Sequence, residues 1–162
     1  VSAAEARAAR DALVGGEPFG VMLARFGWQL DLSALVPFAR WCPRHSEVRM
    51  FDTRFYLADT GTGAVEITAD ETENRHLFWA SAAETLRRAE EGALSVIFPT
   101  ARNLERLAQF GSFTEAKAQA EAIPVSVISP YHELRAGVDH LCIPEGRGYP
   151  VTSQAMSKVR RG

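Results

Sequence analysis

A chain of 162 residues with 46% hydrophobic and 23% charged residues has the composition of one folded domain rather than a disordered segment. Its 18 basic and 20 acidic residues leave a formal charge of −2 and are mixed along the chain, so no net field draws it to nucleic acid or to an anionic membrane. Cys42 and Cys142 lie far apart with no C-x-x-C spacing, no run approaches the roughly 20 apolar residues needed to span a bilayer, and no signal-peptide pattern is present. The expectation is a soluble, cytoplasmic protein, and the preference for arginine and alanine suggests a GC-rich bacterial source.

Ser2 to Val14 is rich in Ala, Arg and Glu, and Ser2 with Glu5 forms a capping-box pattern, so a helix is predicted there, stopped by Gly15 and Gly16. Phe19, Met22, Leu23 and Phe26 recur at helical spacing and predict a second short helix with one inward apolar face; Asp31 to Ser33 starts a brief turn. The runs 35–42 and 49–58 flank a polar connection and read as a hairpin. In the second run Phe51, Thr53, Phe55 and Leu57 alternate with Asp52, Arg54 and Tyr56, giving one apolar face and one that carries an acid and a base.

After the turn at 60–63 come a short strand at 64–67, an acidic loop at 68–74 and a further strand at 76–80. Ser81 with Glu84 is a second capping-box pattern, opening a helix that Gly92 ends. Pro99 suits the first position of a helix to Phe110, with Leu104, Leu107 and Phe110 as its core face, and Ser112 to Glu115 starts another through Ala122. The runs 125–128 and 138–143 flank residues 130–137 and predict a closing hairpin, with a turn at 146–150. Strands alternating with helices indicate an α/β or α+β fold.

The phrase Leu35-Val36-Pro37-Phe38-Ala39-Arg40-Trp41, with Arg49 to Ala58 after it, resembles the paired strands that follow the catalytic helix in the coenzyme A diphosphatase-like branch of the Nudix hydrolases. Trp79-Ala80-Ser81-Ala82-Ala83-Glu84-Thr85-Leu86 is similar to the Trp-x-Ser/Thr-x-x-Glu-x-Leu element common in that family. The stretch from Phe98 to Leu107, the Phe110-Gly111-Ser112 corner and the ending Pro144 to Pro150 resemble the branch's carboxyl-terminal elements in order and spacing. The resemblance implies a Nudix-like mixed sheet with flanking helices. Residues 1–34 would be a helical insertion, 35–98 sheet and helix, and 99–162 the carboxyl-terminal helices and hairpin of one domain.

The family's signature, Gly-x5-Glu-x7-Arg-Glu-x-x-Glu-Glu-x-Gly, is absent; the nearest trace places Val14 and Gly15 where two carboxylates are needed. Its glutamates hold the Mg²⁺ or Mn²⁺ that gathers charge and positions water beside a diphosphate. Since the chain starts on Val1 rather than methionine, the expectation is that the signature lies upstream and that the amino-terminal part of the fold is missing. The function implied is the carboxyl-terminal part of a hydrolase cleaving the diphosphate of a nucleoside diphosphate-linked substrate, with coenzyme A or an acyl-CoA as the candidate, in a homodimer. The alternative is a non-catalytic Nudix-like module that binds a nucleotide or a protein.

Among candidate site residues, Glu73 is the first choice for a base or late metal ligand, since the resemblance puts a carboxylate in that loop; with Asp70 and Glu71 it equally reads as a solvated turn. Arg40 and Arg54, with Asp52, are candidate substrate-binding residues because guanidinium forks match phosphate oxygens, although a cross-strand ion pair with Asp52 is as ordinary a reading. His45, His76, His132 and His140 show no metal-ligand spacing. Trp28, Trp41 and Trp79 serve a core or a nucleobase platform.

Overall fold

A computed structural model describes residues 1–43, 51–61 and 77–159. The fold is α+β and divides into two compact units, Val1–Ala34 and Leu35–Gly162. Among the described residues no helix is long and apolar enough to cross a membrane.

The first unit is a pair of packed helices, α1 (Ala3–Val14) and α2 (Phe19–Phe26), followed by a 3-10 turn at Leu32–Ala34. The predicted capping box at α1 forms in full: Ser2 Oγ accepts from Glu5 N, and Glu5 Oε2 accepts from Ser2 N at 2.8 Å. Gly27, in the left-handed region at φ 64°, ends α2. Met22 is buried on α2, whereas Phe19, predicted to face inward, is 51% exposed; it occupies the first position, where the helix has no preceding turn to carry the apolar stripe.

In the second unit β1 (Val36–Trp41) is central, antiparallel to β2 (Thr53–Leu57) and parallel to β3 (Val127–Ile128). Pro37 pairs with Tyr56 and Ala39 with Phe55, so Phe38 is an extra residue in a bulge. The bulge explains why Phe38 and Ala39 are both buried although adjacent, and Pro37 stands at its edge, a kind of position where sheets admit proline. Helix α3 (Ala82–Glu90) packs on α4 (Phe98–Leu107), and α5 (Phe113–Ala122) packs on β1. A second sheet, β4 (Tyr131–Arg135), β5 (Val138–Cys142) and β6 (Ser153–Ala155), is antiparallel throughout, with a 3-10 turn at Met156–Lys158 after it.

Several expectations are corrected. The closing hairpin is not 125–128 with 138–143: Val127–Ile128 joins β1, and the residues assigned to the connection are themselves β4. Ala136 and Gly137, at φ 49° and 80°, make the two-residue turn between β4 and β5, whose positive φ values match strand twist. Residues 77–80 form no strand and are exposed, because no neighbouring strand among the described residues pairs with them. Helix α4 starts at Phe98, one residue before Pro99, and ends at Leu107 rather than Phe110. Ser81 caps α3 through Glu84 N, but Glu84 turns its carboxylate to Arg87 and Arg88 instead of back to the cap. Those two arginines, Arg87 foremost, hold Glu84 down to a pKa of about 2.

The core of the second unit brings together β1, α4 and the turn near Tyr149. Trp41, 1% exposed, meets Phe98 and Tyr149 edge to face, with centroids at 6.2 and 5.8 Å. Trp41 Nε1 donates to Tyr149 Oη at 3.1 Å, and Tyr149 Oη donates to Asn103 Oδ1 at 2.8 Å, so no polar tip of this aromatic set lacks a partner. Gly148, at φ 80°, passes so close to α4 and α5 that a Cβ would stand 2.6 Å from Gln119 Nε2 and 2.8 Å from Ile123 Cδ1. Only glycine fits there.

Candidate functional site

The hairpin of β1 and β2 positions the residues proposed to hold substrate. Arg40 and Arg54 are direct cross-strand partners, so their side chains leave the same face of the sheet. With Pro37, Tyr56 and Val125 they line a shallow pocket of about 300 Å³. Asp52, just before β2, receives Arg40 in a two-pronged pair, Nε to Oδ1 at 2.8 Å and Nη2 to Oδ2 at 2.6 Å. That hydrogen-bonded pairing raises the Arg40 pKa and lowers that of Asp52. The Arg40–Asp52 ion pair foreseen from sequence therefore forms, and the Arg54–Asp52 pair does not among the described contacts.

Like charges directly opposite on neighbouring strands repel. Asp52 neutralises Arg40 and leaves Arg54 as the second cation at the pocket, beside the half-exposed ring of Tyr56. This arrangement suits an anion with several acceptor oxygens next to a flat group: guanidinium offers paired donors to phosphate, and the phenol ring offers a stacking face.

The second polar cluster lies on α4 and was not expected. Leu104, Leu107 and Phe110, predicted as the core face, are only partly buried, while Arg102, Asn103 and Arg106 are 4, 5 and 2% exposed. The i, i+4 spacing of the two arginines was visible in the sequence, but such a pair normally marks a solvated face. Arg106 is fully engaged: Nη1 donates to the Phe38 carbonyl at 2.7 Å, Nε and Nη2 to Gln119 Oε1 at 2.9 and 2.6 Å, and the guanidinium lies 4.1 Å from the Phe38 ring centroid. Arg102 is not. Its Nη2 donates to Glu105 Oε1 at 2.7 Å and reaches Gln154 Oε1 only at 3.4 Å, while Nε, Nη1 and Glu105 Oε2 are buried without partners. Burial lowers the Arg102 pKa and raises that of Glu105. Each such orphan costs about 1–3 kcal/mol.

Glu73, with Asp70 and Glu71, lies outside the described residues. Among the described residues no group of three His, Cys, Asp or Glu side chains could hold a metal ion. His132 pairs with Asp139 at 3.1 Å on an exposed strand, and His45 and His76 lie outside the described residues. Trp41 belongs to the core, whereas Trp79 is 64% exposed. Compared with protein families, with curated proteins and with solved structures, the chain matches none.

Proposed function

We propose that this chain is the carboxyl-terminal, substrate-holding part of a Nudix-type hydrolase that cleaves the diphosphate of a nucleoside diphosphate-linked substrate, coenzyme A or an acyl-CoA being the class implied by the resemblance. The observation that carries the reading is the pair of guanidiniums, Arg40 and Arg54, opposed on one sheet face at the mouth of a pocket with Tyr56. In this reading Arg54 binds a phosphate group directly, Asp52 holds Arg40 in place beside it, and Tyr56 stacks against the base or pantetheine-linked portion. Further support comes from the core, where three of the segments that carry the resemblance meet: Phe38 and Trp41 from one, Phe98 from the second and Tyr149 from the third, with Asn103 of the second bonded to Tyr149. On this proposal Glu73 is the carboxylate of this chain that takes part in activating water.

The test uses the product of the complete reading frame. Release of 3′,5′-ADP from coenzyme A that depends on Mg²⁺ or Mn²⁺ is the expected result, with Arg54→Ala raising KM at least tenfold and changing kcat less. No turnover of any diphosphate would sink the hydrolase. Nucleotide binding that is lost in Arg54→Ala but accompanied by no turnover would establish the non-catalytic module instead.

A further inference from the structure

Another cavity, of about 530 Å³, lies among the described residues between α3, α4 and the terminal 3-10 turn. That is within the range of about 300–1,000 Å³ typical of small-molecule sites. It shares no residue with the Arg40–Arg54 pocket, so a ligand bound there is independent of the hydrolase reading. Its wall holds the Arg102–Glu105 pair, with side chains 5 and 20% exposed. Leu86, Val96 and Phe98 supply an apolar side, and Arg102 is fixed with its guanidinium carbon 5.1 Å from the Phe98 ring centroid.

We propose that this cavity binds a small neutral molecule presenting a hydrogen-bond acceptor and donor side by side, of the carboxamide or nucleobase-edge class. Three observations point to that chemistry. Nε and Nη1 of Arg102 and Oε2 of Glu105 are buried behind the cavity wall without partners, so the pair holds both donor and acceptor capacity that the protein leaves unmet. Among the described residues the charged groups lining the cavity are two cations, Arg102 and Lys158, and two anions, Glu90 and Glu105, which balance one another. The protein group that faces Arg102 across the cavity wall is itself a neutral carboxamide, that of Gln154. It accepts from Arg102 at 3.4 Å, longer than the roughly 2.7–3.2 Å of a good N–H···O bond, while its Nε2 donates to the Lys158 carbonyl at 3.0 Å.

A ligand carboxamide takes over this position by moving the Gln154–Lys158 turn outward, and it brings both partners within full hydrogen-bond range. Arg102 and Glu105 then act as the recognition pair, and the apolar side receives the body of the ligand.

Titration calorimetry of the chain with nicotinamide and adenine, set against benzoate, inorganic phosphate and benzylamine, tests this. At least one neutral compound is expected to bind with Kd below 1 mM, shift the Arg102 Nε–H signal in NMR spectra, and raise Tm. The charged compounds should bind at least tenfold more weakly. Ala101→Leu and, as an independent variant, Ala89→Leu fill the cavity from α4 and α3 and should each weaken binding at least tenfold without lowering Tm; whichever of the two folds suffices. Failure of both neutral compounds to bind, tighter binding of benzoate, phosphate or benzylamine, or binding undiminished in the filled variants overturns the proposal.

Discussion

Arg102 and Arg106 lie one helical turn apart on α4, equally hidden from water, and the surroundings treat them in opposite ways. Arg106 spends three nitrogens on a main-chain carbonyl and a glutamine, between the rings of Phe38 and Tyr149. Arg102 has one well-made bond, to Glu105, and borders a cavity. Burial disfavours both charges, as their lowered pKa values indicate, but only Arg106 is compensated by its own protein neighbours. The difference separates an arginine that ties sheet to helices from one whose hydrogen-bonding capacity is left for something else.

Arg106→Met is the strongest way to probe that contrast. It removes the bonds to Phe38 O and Gln119 Oε1 and should cost about 4 kcal/mol in urea unfolding; a loss below about 1 kcal/mol would erase the distinction. Tyr149→Phe deprives Trp41 Nε1 and Asn103 Oδ1 of the hydroxyl that joins them, with an expected loss of about 2 kcal/mol at unchanged denaturant slope. The double change Arg102→Met with Glu105→Leu should behave oppositely, leaving stability level or raising it by about 1–4 kcal/mol, as is common when a poorly satisfied buried ion pair becomes apolar. If it destabilises as much as Arg106→Met, Arg102 is as structural as its neighbour.

The smallest effect is electrostatic and sets two glutamates against each other. Glu84, held down to about 2 by Arg87 and Arg88, is lower in the folded than in the unfolded chain. Its stabilisation is present above about 4.5, the ordinary value, and is lost as pH falls through about 2. Glu105, raised by burial, has the reverse sign: its contribution is present below the ordinary value and is lost as pH rises through the raised one. Carboxyl NMR titration should show the two moving to opposite sides of 4.5, and Arg87→Gln with Arg88→Gln should return Glu84 toward it.

Local chemistry was legible in the sequence where a signal lies within a few residues. Ser2 with Glu5, Ser81 and Ser112 mark the starts of α1, α3 and α5. The alternation Asp52, Arg54, Tyr56 against Phe55 and Leu57 predicted the two faces of β2, and it put Arg40 and Arg54 within reach of one pocket. Strand partners were less legible, because pairing Val127–Ile128 with β1 depends on contacts far along the chain rather than on the neighbouring turn. A hairpin between 125–128 and 138–143 was the nearest local solution, and the two-residue turn at Ala136–Gly137 competes with it successfully.

The sequence by itself determined the starts of α1, α3 and α5, the β1–β2 hairpin and the placing of an acid with two arginines on its polar face, since these follow from periodicity and from bonds within a few residues. Tertiary structure alone decided that α4 turns Arg102, Asn103 and Arg106 inward. Hydrophobicity ranks arginine as a surface residue, and that ranking is reversed only when a carbonyl from β1, the Gln119 carboxamide on α5 and the rings of Phe38 and Tyr149 arrive from distant segments to take up its donors and cover its charge.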